Sequence, residues 1–133
     1  MWPDEVAAGA LGALYTALHR AATTQVVVLA GDMPFVSAPF LEHLVGLMAH
    51  HDAVVPRAAG RWQPLCAVYH RRVATHLRRA IDAGAWRVVE ALDGLDIRAA
   101  TDADIAPFDD DGRLLLNVNT PDDYLRADPL ATP

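Results

Sequence analysis

Asp32 is the first residue whose type and place suggest chemistry. It follows Gln25-Val26-Val27-Val28-Leu29-Ala30-Gly31 and precedes Met33-Pro34-Phe35. A short unbroken apolar run rich in valine predicts a central strand buried on both faces of a parallel sheet. Gly31 and Pro34 end that strand sharply, which sets Asp32 just past its carboxyl end. In open α/β sheets ligands bind in the crevice outside those strand ends, and a buried strand has no need of a carboxylate there. The second such stretch is Leu114-Leu115-Leu116-Asn117-Val118-Asn119-Thr120-Pro121-Asp122-Asp123. If a three-leucine strand continues through them, Asn117 and Asn119 share one face. Two readings stand open for these amides: they serve a ligand, or they fasten the strand-to-helix turn by bonds to backbone. Thr120 caps the next helix, with Pro121 as its first residue and Asp123 three positions after the cap.

The intervening elements must hold these groups in place. Leu11, Leu14, Tyr15 and Leu18 recur at helical spacing over residues 9–20, and Gly9 and Gly12 permit close approach to a neighbour or ligand. Ser37 followed by Pro39 signals the start of a strongly apolar helix, expected to end near His50 and His51. Adjacent histidines there complement the helix dipole and lack the i, i+4 spacing of a zinc pair. Ala53-Val54-Val55-Pro56 and Pro64-Leu65-Cys66-Ala67-Val68-Tyr69 read as strands joined through a turn, with Trp62 and Gln63 at its mouth. Val73, Leu77, Ala80 and Ile81 mark another helix, closed by Gly84. A short helical run from Trp86 to Leu92 and a weak strand from Ile97 to Ala100 follow. The acidic segment 101–112 reads as a solvated loop, without the alternation of a calcium loop. Residues 1–127 form one domain, with 128–133 as a tail.

Composition narrows the function further. The chain has 133 residues, 53% hydrophobic and 21% charged, which is globular rather than disordered. A net charge of −6 argues against a nucleic-acid or membrane surface. No apolar run is long enough to span a bilayer, and a single cysteine, Cys66, gives no disulfide framework, so a cytoplasmic protein is expected. All eleven basic residues are arginines. A mechanism needing a lysine on a phosphate, or a Schiff base, cannot be completed by this chain alone. The same absence counts against Asp32 as a phosphoacceptor of the receiver type.

Taken in order, these stretches resemble the molybdenum cofactor guanylyltransferases (MobA type), nucleotidyltransferases that attach GMP to molybdopterin. Leu29-Ala30-Gly31-Asp32-Met33-Pro34-Phe35 is similar to the family's strand–Asp–x–Pro segment, whose aspartate binds the magnesium ion on the nucleotide phosphates. Residues 63–69 resemble the segment lining the pterin side of the cleft. Gly84-Ala85-Trp86-Arg87-Val88 is similar to a Gly-x-Arg-Arg-Val element, with Trp86 in place of the first arginine. Residues 116–123 closely resemble the Asn-x-Asn-Thr-Pro-Glu-Asp element that closes the active site. Gly9-Ala10-Leu11-Gly12-Ala13-Leu14 is a looser match to Gly-Pro-Leu-Ala-Gly-Leu.

The resemblance implies a Rossmann-like α/β nucleotidyltransferase of three layers, with GTP and molybdopterin as substrates and Mg2+ as cofactor. It assigns Asp32 to the metal and Asn119, with Asn117, to the metal water or the incoming phosphate. Gln63 and Arg87 fall on the pterin side, and Gly9 on the substrate-binding side; Arg61 reads as a solvated turn arginine. The family opens with a strand and a glycine-rich, lysine-bearing phosphate loop that has no counterpart before Gly9. The expectation is therefore an amino-terminally truncated domain with an uncovered sheet edge, open to self-association. Two other readings accompany it: a non-catalytic remnant that binds a ligand or partner, and a cytidylyl or sugar-phosphate transferase.

Overall fold

The computed structural model describes residues 9–31 and 33–116. Its centre is set by two strands whose side chains are buried on both faces. β2 (Ala53–Ala58) and β4 (Cys66–His70) each begin with four buried residues. They pair antiparallel, Ala53 opposite Tyr69 and Val54 opposite Val68. β5 (Ile97–Ala100) adds to β2 in parallel, and β3 (Arg61–Trp62) returns on β2 as a hairpin. The hairpin turn is made by Ala59 and Gly60, both at positive φ. β1 (Gln25–Leu29) pairs antiparallel with β4, from Gln25 opposite His70 to Leu29 opposite Cys66. Two antiparallel steps make β1 parallel to β2, so β1, β2 and β5 point their carboxyl ends the same way.

This corrects the expectation for residues 25–29. β1 is an edge strand of the described sheet, and its residues alternate between exposed and half-buried. Val26 and Val28 pack on the core beneath, whereas Val27 and Leu29 are each 44% exposed. The strands buried on both faces are the shorter runs at Ala53 and Cys66.

Helices cover the two faces of the sheet. On one lie α1 (Gly9–His19), α3 (Val73–Asp82) and α4 (Val88–Ala91), where Leu11, Leu14, Leu18, Leu77 and Val88 meet Val55, Ala67 and Tyr69. On the other lie α2 (Ala38–Gly46) and α5 (Asp102–Ile105), where Phe40, Leu44 and Ile105 meet Val54, Cys66 and Val68. Complete burial of a valine or leucine in either layer stabilises by about 1.5–3 kcal/mol. Consecutive residues of β2 and β4 thus feed opposite cores, giving the expected three-layer α/β sandwich.

Local signals explain most element ends. Ser37 caps α2, its side chain accepting from the Phe40 amide, with proline in the first turn. Gly84, at φ 100°, ends α3, and the amides of Gly84 and Ala85 return to the carbonyls of Ile81 and Ala80. Three expectations change. α2 stops at Gly46 instead of running to His50, and Ala49 takes φ 42° on the way out. Part of the acidic segment is helical, because Thr101 and Asp104 form a reciprocal capping box that starts α5, and a 3-10 turn at Ala106–Phe108 follows. Leu114 and Leu115 lie in a turn rather than a strand. Their side chains pack on the α2/α5 core, so their apolar character serves burial without strand pairing.

Candidate active site

The common carboxyl edge of β1, β2 and β5 brings together segments far apart in sequence. The Ala30 amide donates to the Leu65 carbonyl at 2.8 Å, tying the end of β1 to the loop before β4. The Gln63 amide donates to Pro56 O at 2.9 Å, which fastens the same loop to the end of β2. Tyr69, wholly buried, donates its hydroxyl to Pro64 O at 2.6 Å. Burial, with Cys66 beside it, raises the phenol above its usual range, so it remains a donor throughout the physiological range. Cys66, also wholly buried, has its thiol pushed up to about 12 by burial. It is a core residue, without the exposure that a reactive thiolate needs.

The end of β5 completes this edge. Asp102 accepts from the Ala59 amide at 3.2 Å, joining α5 to the β2–β3 turn. Asp109 accepts from the Leu114 amide at 3.0 Å. Both line a cavity of about 380 Å³ with Ala58, Ile105, Gly112 and Leu116, and Leu116 leads directly into Asn117. Asp104 is held below the usual carboxylate range, first by the Thr101 backbone N–H and further by the Thr101 hydroxyl and Arg98. The sequence reading did not single out Asp102 or Asp109. The usable signal was Thr101-x-x-Asp104, the same capping pattern recognised at Thr120-x-x-Asp123.

The individual candidates fare differently. Asp32, Asn117 and Asn119 lie outside the described residues, although Gly31 and Leu116, which adjoin two of them, both sit at this edge. Gln63 is half-buried in the tied-down loop beside Trp62, whose ring lies 5.0 Å from the Arg57 guanidinium carbon. Arg61 is exposed on β3. Arg87 is exposed at the start of α4 and makes no side-chain cap. Its neighbour Trp86 is 58% exposed. Gly9 opens α1, and a Cβ added there or at Gly12 would meet nothing within 4 Å. Packing among the described residues therefore does not require either glycine. No described helix is long and apolar enough to cross a membrane.

Comparison with known proteins agrees with this architecture. The model of the MobA-like NTP transferase domain matches residues 1–96. A probable molybdenum cofactor guanylyltransferase of Chloroflexus aggregans is 33% identical, over 92% of this chain and 64% of its own length. A second, from Natranaerobius thermophilus, is 26% identical over 88% of this chain and 58% of its own. Molybdopterin-guanine dinucleotide biosynthesis protein A from Archaeoglobus fulgidus superposes with a TM-score of 0.80 at 33% identity, covering 92% of this chain and 62% of that one. The Rv0371C protein of Mycobacterium tuberculosis, solved as a complex with manganese, gives a TM-score of 0.60 at 28% identity, over 85% of this chain and 57% of its own. The chain thus spans about 60% of the length of the relatives it matches. With the family model covering most of its residues and the fold superposing closely, the chain belongs to the MobA-like NTP transferase family.

Proposed function

We propose that this chain carries the acceptor side and the closing segment of a molybdenum cofactor guanylyltransferase site. The reaction is GMP transfer from GTP to molybdopterin. A phosphate oxygen of molybdopterin attacks the α-phosphorus of GTP, the bond from that phosphorus to the bridging oxygen breaks, and pyrophosphate leaves. One observation supports this reading: the carboxyl edge of three parallel strands gathers the end of β1 at Ala30, the Gln63 loop and the cavity lined by Asp102, Asp109 and Leu116. Proteins catalyse such transfers mainly by positioning and charge stabilisation. Asn119, with Asn117, orients the incoming phosphate, Gln63 and Arg87 receive the pterin side, and Gly9 approaches the substrate. Asp32 is the residue that would hold Mg2+, which supplies charge neutralisation between two polyanionic substrates. The setting is a cytoplasmic biosynthetic one.

The test is Mg2+-dependent formation of molybdopterin guanine dinucleotide and pyrophosphate from GTP, compared with CTP. Turnover with GTP that Asp32→Asn abolishes supports the reading; equal turnover in that variant overturns it. A second reading, a non-catalytic binding module, is favoured by the chain's lack of any lysine for the phosphates. Ligand binding without pyrophosphate release would establish it. The exposed edge of β1 also supports self-association by strand pairing, which a concentration-dependent sedimentation coefficient would reveal.

A further inference from the structure

The opposite edge of the sheet, where β2 and β5 begin, holds a cluster that the guanylyltransferase reading does not use. His50 and His51 precede β2, and Asp96 immediately precedes β5. Their potential ligand atoms all lie within 4.8 Å of one another. His51 Nδ1 is already 3.0 Å from Asp96 Oδ1, and the two imidazole rings are centred 4.5 Å apart.

We propose that His50, His51 and Asp96 form a binding site for a borderline divalent cation of the Zn2+ type. Two imidazoles and a carboxylate are a donor set suited to zinc, and three protein ligands leave one position for water. Donors at zinc bond lengths of about 2.0–2.1 Å stand roughly 3.3 Å apart in a tetrahedron. The His51–Asp96 pair meets that spacing. His50, exposed, closes the remainder by side-chain rotation.

The frame behind these ligands is fixed. Asp52 donates its amide to Asp96 O at 2.8 Å, and its carboxylate accepts from the Asp96 amide at 2.9 Å. The Arg72 Nε lies 2.8 Å from Asp52 Oδ1. Its Nη2 also donates to His50 O and His51 O at 3.1 and 3.4 Å. Arg72 is thus neutralised by Asp52, leaving the Asp96 charge for a cation. Adjacent histidines carry no metal spacing in sequence; the third ligand arrives through the parallel pairing of β2 with β5. Binding would staple the exit of α2 to the entry of β5, with any proton on a ligating nitrogen released to solvent.

The test is calorimetric titration of the untagged full chain with Zn2+ in excess Mg2+, which occupies oxygen-only sites. One Zn2+ per chain is expected, weakened at least about tenfold by His50→Ala, His51→Ala or Asp96→Asn. His43→Ala, at the other His–Asp pair, 3.7 Å apart, leaves it unchanged. Circular dichroism confirms that each variant folds, and Co2+ substitution reads nitrogen ligation by visible absorption. Absence of stoichiometric binding, or binding indifferent to the three substitutions, overturns the proposal. Since the cluster lies at the edge opposite the carboxyl end of β1, either result leaves the guanylyltransferase reading to its own assay.

Discussion

Replacing Tyr69 by phenylalanine tests how the fold positions the candidate site. The ring is wholly buried, and its hydroxyl donates to Pro64 O at 2.6 Å. Removing one oxygen leaves the ring packing intact but forfeits a net hydrogen bond worth about 1 kcal/mol. It also strands a part-buried carbonyl. Together these predict a loss of about 1.5 kcal/mol, offset slightly because a polar group no longer needs burying. At an unfolding entropy of about 2.1 cal/mol/K per residue, that loss lowers Tm by roughly 5 °C.

The same bond anchors the loop that carries Gln63 and accepts the Ala30 amide through Leu65 O. Tyr69→Phe should therefore speed hydrogen exchange at Ala30 and Gln63 before it affects β2, because local opening reports local stability. Urea unfolding gives the stability, and amide exchange gives the location. A variant as stable as the parent, or one whose exchange rises uniformly along β2 and β4, would refute the anchoring argument.

Four further outcomes follow from particular contacts. Asp52 is held below its ordinary value of 3.8, first by the Asp96 backbone N–H and then by Arg72, against the opposing effect of burial. Its contribution is present in full above pH 3.8 and is lost as pH falls through the lower folded value. Acid titration of Asp52→Asn should accordingly show a shallower stability decline below about pH 4 than the parent. Thr101→Ala removes the capping box of α5 and should cost about 1 kcal/mol in urea unfolding. Cys66 should resist a thiol reagent in the native state and react promptly in denaturant, because its side chain has no exposure. Finally, on the proposed guanylyltransferase reading, Asp32→Asn should abolish Mg2+-dependent transfer while leaving the melting curve nearly unchanged; an unaltered turnover would count against the metal assignment.

Legibility in the sequence followed how local each cause was. Ser37 with Pro39, and Gly84 after an amphipathic stripe, marked helix ends because capping acts within one turn. The limits of α2 were less legible. An apolar pattern persists through Leu47 and Met48, yet the helix stops at Gly46, and those residues are kept apolar by the core that they enter. The same holds at Leu114, where apolar residues reach the core from a turn. The site was legible only as separate segments. Asp32 and Asn117 stand out by type, but the arrival of Asp102 at the end of β2 depends on the parallel pairing of β5 with β2, a contact across more than forty residues.

β1 carries the most general lesson. Gln25 to Leu29 is the most uniformly β-branched run in the chain, yet it lies at an edge of the described sheet, while β2 with its proline and β4 with its cysteine are central. Apolar character records what a strand must bury, and half of β1 remains uncovered, with Val27 and Leu29 each 44% exposed. Those side chains, with Ala10, Ala13, Leu14 and Ala17 of α1, line an apolar groove of about 370 Å³ running along the strand. An exposed apolar edge invites pairing through its free backbone groups, whereas burying Val27 and Leu29 needs a layer packed on their face of the sheet. The exposure of Val27 and Leu29 thus follows from the position of β1 at an edge of the described sheet, which a uniformly apolar run does not reveal by itself.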